Sequence, residues 1–121
     1  MNRVVLHGLL SSEPKARTLP SGDQLTSYEV TTETDHGAAS VPVVWHAPSR
    51  PPAVVSGDPV VVVGHVRRRF FRAGGATVSR TEVVADLVVK PGSARARRAV
   101  EALLITVGGD TSVRPAHPPA A

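Results

Sequence analysis

Residues 60–72 constrain the fold more than any other part of the chain. Four consecutive valines, Val60 to Val63, lead through Gly64-His65-Val66 into Arg67-Arg68-Arg69-Phe70-Phe71-Arg72, and Gly74-Gly75 follows. A β-branched run of this kind fits a pleated, buried surface and reads as a core strand. The basic half has to leave that core, because burying unpaired guanidinium groups is very costly. Residues 77–89 are again rich in valine, so 60–72 and 77–89 form one long hairpin around Ala73-Gly74-Gly75. Arginines beside aromatic rings suit a surface that holds phosphates and stacks on bases. The segment points to a β-domain that binds nucleic acid.

The charge distribution agrees. Net charge is +4 and the pI is about 10.7. Residues 59–81 hold five arginines and no acid, whereas Glu13, Asp23, Glu29, Glu33 and Asp35 lie elsewhere. That asymmetry predicts a positive face; the plainer alternative is an Arg-rich outer hairpin without a ligand. At 121 residues the chain is long enough for a hydrophobic core. Cysteine is absent, which excludes disulfides, thiolate metal sites and a catalytic thiol. No apolar run reaches the ~20 residues that span a membrane. Residues 1–10 lack a signal-peptide pattern, so a cytoplasmic location and no membrane partner are expected.

Further strands are predicted at 3–10, 24–33 and 40–46, with a possible short one at 15–19 after a bend at 11–14. Pro20-Ser21-Gly22-Asp23 and Asp35-His36-Gly37 are turns. Pro42 favours an edge or bulge position. Pro48, Pro51 and Pro52 exclude a long helix over 47–57 and allow at most a helical turn at 53–56. Five main strands, interrupted between the third and fourth, match an all-β, five-stranded OB-fold barrel. Ser93 is placed to cap a helix over 94–106, with Ala96, Ala99, Val100, Leu103 and Leu104 on one side and Gly108-Gly109 as a stop. Arg95, Arg97 and Arg98 oppose its dipole. The expected organisation is a binding domain over 1–91, a C-terminal helix over 92–108 and a disordered tail over 109–121.

Nothing in the chain points to an enzyme, a cofactor or a metal. His7, His36, His46, His65 and His117 show no i,i+4 pair or short ligand spacing. Gly74-Gly75 sits in a hairpin rather than before a helix, and no serine lies in a nucleophile elbow. Strand alternation puts Arg67, Arg69 and Phe71 on one side and Arg68, Phe70 and Arg72 on the other. Phe71 beside Arg69 is the expected ligand contact, with Phe70 turning inward or packing at the hairpin base.

With these motifs in place, residues 2–89 resemble the bacterial single-stranded DNA-binding protein family. The likeness starts at Asn2-Arg3-Val4-Val5-Leu6-His7-Gly8-Leu9-Leu10. It continues through Glu13-Pro14-Lys15-Ala16-Arg17 and Thr18-Leu19-Pro20-Ser21-Gly22. Gly57, Gly64 ahead of the basic-aromatic end, and Thr81-Glu82-Val83-Val84-Ala85-Asp86 complete it.

The resemblance implies an OB fold, assembly as a homotetramer, and wrapping of single-stranded DNA without sequence preference in replication, repair or recombination. It also implies stacking aromatics at Phe71, at or next to Trp45, and near His36; a further position near Ser40 lacks its aromatic. The connection 35–40 is shorter than the family's, and the chain ends Pro118-Pro119-Ala120-Ala121 in place of the acidic tip that recruits repair and replication partners. The expected site is thus a cationic track of Arg3, Arg67, Arg69, Arg72 and Arg80, with stacking on Trp45 and Phe71 and a contribution from His36. Trp45 has an equal alternative as a core anchor, and Tyr28 is expected in the core or an interface. Two other functions fit: an OB-fold assembly module with little DNA binding, and single-stranded RNA binding.

Overall fold

The computed structural model describes residues 1–47 and 51–109, with the side chains of 107–109 set aside. The elements are β1 Val4–Leu10, β2 Lys15–Thr18, β3 Gln24–Thr34, β4 Gly37–His46, β5 Pro59–Ala73, β6 Ala76–Val89 and α1 Ala94–Gly109. The six strands form one sheet in the order β1-β5-β6-β4-β3-β2. β1 also pairs with β3 through Leu9–Thr31 and Leu10–Val30, which closes a ring of hydrogen bonds and leaves β2 outside it. Every pairing is antiparallel except β4 with β6, which run parallel at Val43–Val83 and Val44–Val84.

The valine run owes its composition to burial on both faces, where alternation with polar residues has no purpose. Val60 and Val62 point into the main core with Leu10, Tyr28, Val30 and Val43. Val61 points the other way, against Val89 and Ala96 of α1. Burial also pushes the Tyr28 phenol above its ordinary pKa. Between Val63 and Gly64 the register slips: Val63 faces Leu87 and Gly64 faces Ala85, so Asp86 bulges out of β6. Beyond β1, the Asn2 side chain continues its ladder, donating to the Val66 carbonyl at 2.6 Å and accepting from the Val66 N–H at 2.9 Å.

The predicted strands and turns form where expected, and the possible short strand is β2, which makes the sheet six-stranded. The helical turn at 53–56 does not form. Side-chain carboxylates take its backbone donors instead: Asp58 accepts from the Val55 N–H at 3.0 Å and Glu13 from the Ser56 N–H at 2.9 Å. Val54 is thereby fixed as a plug in the main core. Ser93 does cap α1, its Oγ accepting from the Ala96 N–H at 3.0 Å. The helix packs through Ala96 and Val100, whereas Leu104, expected on the same side, is 64% exposed. Apart from Gly109, the expected tail lies outside the described residues, as do 48–50. Among the described residues no helix is long and apolar enough to cross a membrane.

Candidate nucleic-acid interface

The β5–β6 hairpin ends in a two-residue Gly74-Gly75 turn, both glycines at positive φ (56° and 80°), which sets a strict cross-strand register. Arg67 faces Glu82, Arg69 faces Arg80, and Phe71 faces Val78. These pairs lie on the outer face of the sheet, away from the core. β2 adds Lys15 and Arg17, held opposite Ser27 and Leu25 of β3. With Val44 and His46 of β4 they line a groove of about 420 Å³. Its walls carry five cations, Lys15, Arg17, Arg67, Arg69 and Arg80, against one carboxylate, Glu82.

Glu82 is the organising charge. Its side chain is 1% exposed, and it accepts from Arg67 Nη2 and from Arg69 Nε, each at 3.0 Å. Burial pushes its carboxyl up, but the hydrogen bonds from Arg69 and Arg67 and their charges together outweigh it and hold the pKa below the ordinary 4.5. Among the described residues the buried Arg67 Nε–H has no partner. Arg69, thus fixed, sits with its guanidinium carbon 4.8 Å from the centroid of the Phe71 ring. Arg80 stands directly across from Arg69, and like charges in that position repel. Among the described residues no carboxylate pairs with Arg80, Lys15 or Arg17. The groove's free positive charge is concentrated on those three.

The structure brings together four of the residues expected at the site: Arg67, Arg69, Phe71 and Arg80. The rest lie elsewhere. Arg3 is paired with Asp86 at 3.0 Å, in a separate depression beside His65 and Thr106. His36 sits in the β3–β4 turn, at the end of that ladder opposite to His46. Arg72 belongs to the other face of the hairpin and donates to the Gly75 carbonyl at 3.2 Å. Trp45 is corrected to a core residue: it is 6% exposed and packs with Val43 and Tyr28, so its ring cannot receive a base. Its outward neighbour His46 lines the groove in its place. Phe70, expected to turn inward or to pack at the hairpin base, is instead 64% exposed.

Lys15, Arg17 and Glu82 are the site residues the sequence alone did not single out. No protein-family model matches the chain, and no curated protein matches it. Among the described residues no three His, Cys, Asp or Glu are grouped to hold a metal ion. Burial of Trp45 has an optical consequence. Its emission is expected to lie at short wavelength, resist acrylamide, and stay unchanged when oligo(dT) is added. Strong quenching by the oligonucleotide would place the ring at the ligand after all.

Proposed function

We propose that the protein binds single-stranded DNA without sequence preference, through the outer sheet face and the β5–β6 hairpin. The observation that carries this is the convergence of five cations from β2, β5 and β6 on one groove with a single, buried carboxylate. The closed strand ring, with its one parallel contact, supports an OB-fold barrel to which β2 is added. In OB folds the face of the second and third strands and the adjoining loops take up oligonucleotides. The equivalent strands here, β3 and β4, form the groove floor with Leu25, Ser27, Val44 and His46. Phosphates meet Lys15, Arg17 and Arg80, whose charges have no carboxylate partner, and a base stacks on the Phe71–Arg69 pair.

Titration of fluorescein-labelled oligo(dT) by anisotropy tests this at several salt concentrations. Binding at low salt that weakens steeply as salt rises is expected, with duplex bound less well. No binding, or equal binding of duplex, would sink the proposal. Arg80→Ala is expected to reduce the slope of log K against log salt by about 0.7, the value per phosphate on a single strand. Phe71→Ala is expected to cost about 1–3 kcal/mol of binding with the slope unchanged.

Self-association is part of the proposal: Leu9, Leu104 and Ile105 are 53%, 64% and 73% exposed, which suits a homo-oligomer. These exposed apolar side chains favour a second reading, an assembly module with weak DNA binding. Light scattering beside the titration separates them, since the module predicts an oligomer without oligo(dT) affinity.

A further inference from the structure

We infer that the opposite face of the β5–β6 hairpin is a second nucleotide-binding surface, so that one strand is gripped on both sides of the arm. This rests on the single-strand reading of the groove. Arg68, Phe70 and Arg72 continue the row that begins with Val60 and Val62 on the core side of β5. Because β6 meets β4 only at Val83 and Val84, the hairpin beyond that point is an uncovered two-stranded arm. The row that is core at one end of β5 is therefore surface at the other.

On this surface Phe70 is 64% exposed. The Arg68 guanidinium carbon lies 5.3 Å from the ring centroid, and Arg68 Nη2 also donates to Ser79 Oγ at 3.1 Å, which fixes the pair. Thr81, Ser79 and Thr77 stand opposite Arg68, Phe70 and Arg72 and present exposed hydroxyls. Among the described residues no acid lies on this face of the arm, since Glu82 points to the other side and is committed to Arg67 and Arg69. Two arginines of the groove are offset by a carboxylate; the two arginines here are not.

An exposed ring flanked by two uncompensated cations and a row of hydroxyls matches a base flanked by phosphates. An apolar protein partner would complement the ring but leave both charges unanswered. The occupant is the continuation of the single strand that lies in the groove, carried across the edge of the arm.

The test uses the full chain and two labelled oligo(dT) lengths, about 6 and about 20 nucleotides, one near the lower end of the usual 4–16 per OB fold and one beyond its upper end. Phe70→Ala is expected to leave the short oligonucleotide's affinity unchanged and to weaken the long one at least about five-fold, the lower end of one base stack. The Arg68→Ala/Arg72→Ala double variant is expected to lower the salt slope for the long oligonucleotide only. Arg80→Ala, the groove control, is expected to weaken both lengths. As a readout on the unaltered protein, photocrosslinking of iodouracil-substituted long oligonucleotide is expected to mark Phe70 as well as Phe71. Wild-type binding and an effective Arg80→Ala, with Phe70 neutral at both lengths and uncrosslinked, would overturn the inference and leave the groove standing. Absence of wild-type binding at either length would remove both. A change of oligomeric mass in Phe70→Ala with DNA affinity intact would give the ring to a second copy and overturn the inference too.

Discussion

Replacing Gly64 with alanine is expected to lower the stability of the fold by about 3 kcal/mol or more, the upper end of overpacking penalties. An alanine Cβ at this position would overlap the Val84 carbonyl oxygen and crowd the Val84 carbonyl carbon and the Ala85 Cα. All three are backbone atoms of the neighbouring strand, so no rotamer change relieves the clash. The strand itself has to move, and it moves at the bulge that sets the register of the whole arm. Gly74→Ala offers the contrast, since nothing lies within 4 Å of a Cβ there and only its positive φ is at stake. Its cost is expected at about 1–2 kcal/mol. Urea unfolding followed by Trp45 emission measures both. A Gly64→Ala loss below that of Gly74→Ala would mean that β5 and β6 are not held so closely at the bulge.

The same glycine shows what could be seen in the sequence. Gly64 and Gly74-Gly75 bracket a segment whose strand parity is unbroken on β5, so the division between the Arg67-Arg69-Phe71 row and the Arg68-Phe70-Arg72 row was legible from position alone. The cap at Ser93 was legible for the same reason, because local chemistry decides it. Trp45 was within reach: Val41 and Val43 share its face, while Ser40, Pro42, Val44 and His46 share the other, and with only Val44 apolar there the alternation favours burial of the Trp45 side. The fate of Phe70 was not legible, because parity says which way a ring points and not whether anything stands there to cover it.

The electrostatic partners were hidden by a different cause. Glu82 lies 15 positions from Arg67 and 13 from Arg69, and it meets them only through the hairpin register. Counting charge over residues 59–81 stops one residue short of the acid that offsets two of its arginines. Lys15 and Arg17 reach the groove through a longer path, β2 to β3 and β3 to β4, and then the parallel contact to β6. A basic stretch in the sequence thus overstated the free charge of one hairpin face and missed two cations brought from elsewhere. The groove as built is less arginine-rich along β5 and broader across the sheet.

That redistribution makes Glu82 the position with the clearest test. Glu82→Gln keeps the shape but removes the charge that accepts from Arg67 and Arg69. Hydrogen bonds to charged groups contribute about 1.5–3 kcal/mol each; the glutamine carbonyl still accepts one, without the charge, and its NH2 faces the other guanidinium as a second donor. Both arginines are partly exposed (38% and 43%) and recover some of this from water, so the expected loss is about 2–3 kcal/mol. The loss depends on pH with a definite sign. Because the folded carboxyl titrates below its ordinary 4.5, the unfolded chain takes up a proton first as pH falls. The stabilisation is complete above 4.5, shrinks as pH drops below it, and is gone once pH passes the lowered folded value. The difference in unfolding free energy between wild type and Glu82→Gln is therefore expected to be constant near neutrality and to narrow below 4.5, other carboxylates cancelling between the two proteins. A difference that stays constant down to pH 3 would mean that folding leaves this carboxyl's pKa unshifted, and one that grows would mean that folding raises it. Oligo(dT) binding supplies a second readout at neutral pH. With Arg67 and Arg69 released, the salt slope is expected to steepen by about 0.7 for each arginine that takes up a phosphate. A shallower slope with weaker binding would instead make Glu82 the group that holds these arginines in position for the strand.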